Sequence, residues 1–202
     1  MIWQILVVVL AYFLGAIPSG YWIGKKLCGV NIMELGSKNM GATNTFRILG
    51  PKIGGLVFLM DLLKGFFAAS IGYLVGGVTL SVICGLVAIL AHTFSVFMKF
   101  KGGKGVATGA GVMFCWNPFA ILCALAVWSL LAFTTGYVSL ASIVASLSCL
   151  LFLWLFGGTT LQIIFCSFVV AYIIFKHRAN MKRLLEGTEN KMNWKEKFSK
   201  KK

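Results

Sequence analysis

The sequence predicts an all-α integral membrane protein of about seven transmembrane helices, with its N-terminus outside and its C-terminus in the cytoplasm. Three observations predict it. Hydrophobic residues make up 59% of the 202 positions and charged residues only 12%, with a mean hydropathy of +0.89. The apolar residues fall in continuous runs near the roughly 20 residues that a helix needs to cross a bilayer, without the alternation of a barrel strand. The basic residues collect in alternate connections, as the positive-inside rule requires.

The runs occur in order at Ile2–Gly24, Ile53–Tyr73, Thr79–Met98, Val106–Phe133, Tyr137–Phe156 and Leu161–Phe175. The first lacks a basic leader and exceeds a signal peptide's apolar core, so it is read as a retained span. The fourth is interrupted by Asn117-Pro118. Proline favours a helix's first turn and breaks its interior. Two short helices meeting at Pro118 are expected there, with a re-entrant pair as the alternative. Lys25, Lys26, Lys38, Arg47 and Lys52 separate the first two runs, Lys99, Lys101 and Lys104 follow the third, and ten basic residues lie from Lys176 onward. Gly76-Gly77, Asn117 and Gly157-Gly158 mark short uncharged connections. Residues 1–190 are expected to form one membrane domain and 191–202 a basic cytoplasmic tail.

Composition narrows the chemistry. The acids are Glu34, Asp61, Glu186, Glu189 and Glu196, and the histidines His92 and His177. A carboxylate metal cage or a two-carboxylate hydrolase site is hard to build from these, so no metal or other cofactor is expected. Of the six cysteines, five lie in apolar runs and none forms a CxxC pair; they read as small buried hydrophobes. The net charge of +14 suits anionic head groups and anionic substrates.

The polar chemistry gathers on one face, in segments that can converge. In Gly36-Ser37-Lys38-Asn39-Met40-Gly41-Ala42-Thr43-Asn44, glycines permit tight turns and successive N–H groups that can cradle an anion. Arg47 adds a planar fork suited to phosphate. An ordinary polar loop with helix caps is the plain alternative. Lys99-Phe100-Lys101-Gly102-Gly103-Lys104-Gly105 looks like a P-loop but has Gly105 where that motif needs Ser or Thr. It reads as a flexible turn bringing Lys104 to an anion, together with the following helix's N-terminus. Topology alone accounts for Lys99 and Lys101. His177 and Asn180, three apart, would share a face if the last helix continued. Asp61 and Lys64, inside an apolar run, read as an ion pair bracing the site. His92 reads as a packed polar residue. Ser139 and Ser142 share a helix face and can cap or contact a ligand.

Together these segments resemble the bacterial acyl-phosphate-dependent glycerol-3-phosphate acyltransferases, the PlsY family. GSKNMGATNTFR, DLLKG, FKGGKGVAT, YVSLAS and HRANMKRLLEGTE stand in the family's order and spacing. The chain departs from the usual pattern at Lys38, where the family has Gly, and around Ala91-His92 and Ser95, where it has Gly-His and a proline. The resemblance implies transfer of a fatty acyl group from acyl phosphate to glycerol 3-phosphate in the bacterial inner membrane. It implies Ser37, Asn39, Gly41, Ala42, Thr43 and Asn44 as an acyl-phosphate cradle. It implies Arg47, Lys104, Ser142, His177 and Asn180 as glycerol 3-phosphate contacts, with Lys104 also facing the departing phosphate. The proton acceptor is either His177 or a substrate phosphate oxygen, and the latter is favoured because no His–carboxylate pair activates a base. Membrane lipid is the expected environment, with no nucleic acid partner and a monomeric state.

Two other classes fare worse. The His-x4-Asp acyltransferases are excluded, since His92 is followed five positions on by Phe97 and His177 by Lys182. A transporter of phosphorylated solutes needs polar groups near the midplane, where only Asp61, Lys64 and His92 qualify.

Overall fold

Apolar runs of this length can satisfy their backbone in lipid only as helices, and helices are what they form. The structure is a computed structural model that describes residues 1–194; residues 195–202 of the expected tail lie outside the described residues. The chain forms two compact units, residues 1–116 and residues 117 onward.

In the first unit, α1 (Ile2–Ala16) buries Val7 and Ala11 and turns Trp3, Ile5, Leu6, Val9 and Phe13 outward. Such a face suits hydrocarbon. The run expected as one span, Ile2–Gly24, is instead broken at Ile17-Pro18, and α2 (Ser19–Cys28) leaves at 47°. Pro18 has no N–H and holds the preceding residue out of the α region; Ile17 accordingly has φ −52°, ψ 116°. The break frees carbonyls that would be costly in lipid. Ser95 Oγ donates to Ala16 O at 2.5 Å and Lys64 Nζ to Ile17 O at 2.9 Å.

After a 3-10 turn at Ile32–Glu34 comes α3 (Ala42–Thr93), interrupted at Gly50 and at Gly76-Gly77. The second interruption reverses the chain: Ser81 Oγ donates to Ala69 O at 2.8 Å, which brings the two arms side by side. Ala68 on one arm and Leu80, Cys84 and Ala88 on the other pack with Val7 and Ala11 of α1. The helix ends at Thr93, earlier than the apolar run to Met98 suggested, because Ser95 is extended and Lys99 and Phe100 are left-handed. Next comes α4 (Val106–Trp116), tied to α3 by Ser70 Oγ to Cys115 Sγ (3.3 Å) and Trp116 Nε1 to Ser81 Oγ (2.8 Å).

The second unit begins at the predicted break. Asn117 Oδ1 accepts from Ala120 N at 3.0 Å, and Pro118 opens α5 (Pro118–Thr135). Left-handed Gly136 leads into α6 (Val138–Leu155), and a Thr159/Gln162 capping box starts α7 (Thr160–Lys176). The short α8 (Arg178–Leu185) departs from α7 at 56°. The start of the expected tail is packed: Met192 N donates to Gly136 O (2.8 Å) and Trp194 Nε1 to Ala132 O (2.7 Å).

Among the described residues, three helices are long and apolar enough to cross a membrane alone, and five if α1–α2 and α7–α8 each count as one span. That count treats the folded α3 as one. The apolar segments α1, both arms of α3, α4, α5, α6 and α7 are the regions the sequence singles out.

Candidate active site

Asn44, in the first turn of α3, organises the loop before it. It is buried; its Oδ1 accepts from Ser37 N at 2.9 Å, and its Nδ2 faces the carbonyls of Ile32 (3.1 Å), Leu35 (3.0 Å) and Asn39 (2.9 Å). The chain can close around it because Gly36 is left-handed (φ +56°), and a Cβ there would lie 2.5 Å from Asn44 Oδ1. Lys38, where the resemblance leads one to expect glycine, also holds a left-handed turn (φ 54°). The picture of successive N–H groups all turned to a ligand needs correction. The Ser37, Lys38 and Gly41 amides donate to Asn44 Oδ1, Leu35 O and Asn39 Oδ1. Asn44 and Asn39 thus shape the loop. Ala42 and Thr43 open α3, where the first-turn amides have no partner within the helix. Arg47 follows Thr43 by four residues, on the same face and half-buried.

The second loop precedes α4. Phe100 N donates to Ser95 O (2.8 Å), Lys101 N to Met98 O (3.0 Å) and Gly103 N to His92 O (3.2 Å). Gly102 and Gly103 press on the last turn of α3: a Cβ on Gly102 would overlap the His92 and Thr93 carbonyls, and one on Gly103 the His92 ring at Nε2. Only glycine fits either place. Lys104 emerges half-buried two residues before Val106 opens α4, whereas Lys99 and Lys101 are exposed. Beneath this loop, Lys64 Nζ lies 2.8 Å from Asp61 Oδ1 and 2.7 Å from His92 Nδ1, all three side chains buried.

In the second unit His177 occupies the bend between α7 and α8. The last helix does not continue straight through His177 and Asn180, the condition on which their sharing a face depended. His177 is buried, with Nδ1 2.8 Å from Ile173 O; a carbonyl only accepts, so Nδ1 carries a proton. Asn180 Nδ2 donates to Glu189 Oε1 (2.6 Å), which also accepts from Ser139 Oγ (2.8 Å), while Arg183 Nε donates to Glu189 Oε2 (2.6 Å). Burial pushes the Glu189 carboxyl up, but the hydrogen bonds from Asn180, Ser139 and Arg183 and the Arg183 charge outweigh it and hold the group below its usual range. Ser142 Oγ accepts from Trp128 Nε1 (3.1 Å) and donates to Val138 O (2.8 Å). Glu189 and Trp128 are the positioning groups that the sequence reading passed over. Glu189 had a signal, as one of only five acids and part of HRANMKRLLEGTE; Trp128 had none.

Among the described residues, no three of His, Cys, Asp and Glu are grouped to hold a metal ion.

Comparison with known proteins covers nearly the whole chain. The family described as "Glycerol-3-phosphate acyltransferase" matches residues 5–187. The chain is 48% identical over 188 residues to the glycerol-3-phosphate acyltransferase of Fusobacterium nucleatum, covering 93% of this chain and 97% of that protein. It is 39% identical over 189 residues to that of Bacillus subtilis, covering 94% and 97%. Two crystal structures of PlsY, an integral membrane glycerol 3-phosphate acyltransferase, superpose on it. The glycerol 3-phosphate form has a TM-score of 0.90 at 42% identity, covering 96% of this chain and 97% of the other. The lysophosphatidic acid form has a TM-score of 0.88 at 41% identity, covering 98% and 99%. With matched sequence and fold over this length, the chain belongs to the PlsY family of integral membrane glycerol-3-phosphate acyltransferases.

Proposed function

We propose that this protein transfers a fatty acyl group from acyl phosphate to the 1-hydroxyl of glycerol 3-phosphate, the first step of phospholipid synthesis, as a monomer in the bacterial inner membrane. The observation that carries the reading is the pair of loops in the first unit. Each ends on a helix N-terminus and each is followed or preceded within a turn by a half-buried cation, Arg47 or Lys104. Such an arrangement suits phosphate, which both substrates contain.

In this account Ser37, Asn39, Gly41, Ala42 and Thr43 hold the acyl phosphate, with Asn44 fixing their geometry. The glycerol 3-phosphate contacts are those the resemblance implies: Arg47, Lys104, Ser142, His177 and Asn180. The hydroxyl oxygen attacks the acyl carbonyl carbon, the bond from that carbon to the phosphate oxygen breaks, and phosphate leaves with the electron pair. The hydroxyl proton passes to a phosphate oxygen. His177 Nδ1 donates to Ile173 O at 2.8 Å, so that nitrogen already carries a proton and does not serve as the acceptor, which favours the phosphate. Acyl phosphate is already activated, so positioning and charge stabilisation carry the acceleration. The N-terminus faces outward and the loops the cytoplasm, in keeping with their lysines.

The test offers purified protein glycerol 3-phosphate with acyl phosphate, acyl-CoA or acyl-carrier protein. Lysophosphatidic acid is expected with acyl phosphate alone. Turnover only with a thioester overturns the donor, and solute flux in vesicles without turnover favours a transporter.

A further inference from the structure

The buried group formed by Asp61, Lys64 and His92 has no part in the chemistry above, yet its geometry is specific. An ammonium has three N–H donors and no acceptor. Those of Lys64 reach Ile17 O (2.9 Å) and His92 Nδ1 (2.7 Å), while its charge is paired with Asp61, Nζ to Oδ1 2.8 Å. His92 Nδ1 must then offer its lone pair, and the ring proton belongs on Nε2. That edge of the ring is the one Gly103 rests on, too closely to admit a Cβ. The carbonyl of the same histidine accepts from Gly103 N at 3.2 Å. His92 therefore grips the residue before Lys104 through both its ring and its backbone.

We propose that Asp61 and Lys64 are positioning residues: they lock His92 as the Nε2–H tautomer, and His92 sets the Gly102-Gly103 turn that aims Lys104 at a phosphate. This rests on Lys104 being a phosphate ligand. The bland alternative is that Lys64 only stitches the break between α1 and α2 through Ile17 O.

Steady-state kinetics on the purified full chain separate the two. Lys64→Met leaves Asp61 alone in an apolar interior, so the charge-neutral pair Asp61→Asn/Lys64→Met is the main variant. Its KM for glycerol 3-phosphate should rise about tenfold, with kcat and the acyl-donor KM within about twofold, the size of coupling typical of contacting groups. In a Lys104→Gln background the same pair should add less than about twofold, since the residue it aims is gone. Full additivity, or a loss in kcat alone, overturns the positioning role while leaving Lys104 as a ligand. A silent Lys104→Gln overturns the ligand reading and the proposal with it. Where the pair variant does not fold, nitrogen-15 spectra of the wild-type imidazole decide. A proton on Nε2 of His92 is expected, and a proton on Nδ1 overturns the mechanism.

Discussion

In the loop over residues 31–41 one buried side chain, Asn44, gathers four backbone groups from its own neighbourhood. The loop over residues 99–105 is held from beneath, by glycines resting on His92 and by Lys64, which lies 28 residues before that histidine. Both loops lead to a helix N-terminus, and the proposed function gives both to phosphate. The first is a self-contained knot, whose failure is a failure of local folding. The second is a plate laid on a distant support, so it can shift without unfolding anything. Stability should therefore be sensitive to the first loop and substrate affinity to the second.

Asn44→Ala is the harshest test. It strips the Ser37 amide and the Ile32, Leu35 and Asn39 carbonyls of their shared partner, and buried unsatisfied groups cost about 1–3 kcal/mol each. A net loss of about 3 kcal/mol is expected, read as a fall in Tm in detergent together with lost activity; an unchanged Tm would break the comparison. Lys104→Gln should lower kcat/KM roughly tenfold to a hundredfold, from a lost charge-assisted bond of about 1.5–3 kcal/mol, with Tm near wild type. A matching fall in Tm would mean that the second loop is also structural. Gly36→Ala sharpens the contrast, since a Cβ at φ +56° meets Asn44 Oδ1. A loss of about 1–2 kcal/mol in stability is expected, with KM moved less than by Lys104→Gln. Lys101→Gln, on an exposed lysine of the same turn, should change kcat/KM by less than about twofold. An effect equal to that of Lys104→Gln would remove the distinction between site and topology lysines.

The helices were legible because apolar runs and Asn117-Pro118 report directly on burial and on helix starts. The break at Pro18 was missed because the run around it stays apolar; what makes the break tolerable, Lys64 and Ser95, lies far along the chain. Whether the helix continued past His177 was open in the sequence for a related reason, since no proline or glycine marks the bend. At the site, residue types suggested the phosphate chemistry proposed above, but not which of them hold the loop. Asn44 and Thr43 are adjacent and both polar, and only the α3 geometry makes one a buried brace and the other a half-buried first-turn residue. Glu189 gathers Ser139 from 50 positions away, a distance at which local pattern carries no information.

The brevity of α4 has a consequence for depth. Its last residue is bonded to Ser81 and the loop before it to His92, so it runs beside that stretch of α3. The turn at Gly76-Gly77, with its non-helical backbone, belongs at a polar edge of the bilayer. From there to His92 the helix climbs only about 22 Å, against a hydrocarbon core of about 30 Å. For a span that short, local thinning of the lipid on this side of the protein is the expected accommodation. Thinned lipid brings the head groups down toward the Lys104 turn, so that on the reading proposed above an acyl donor would meet it without its chain being drawn out of the leaflet.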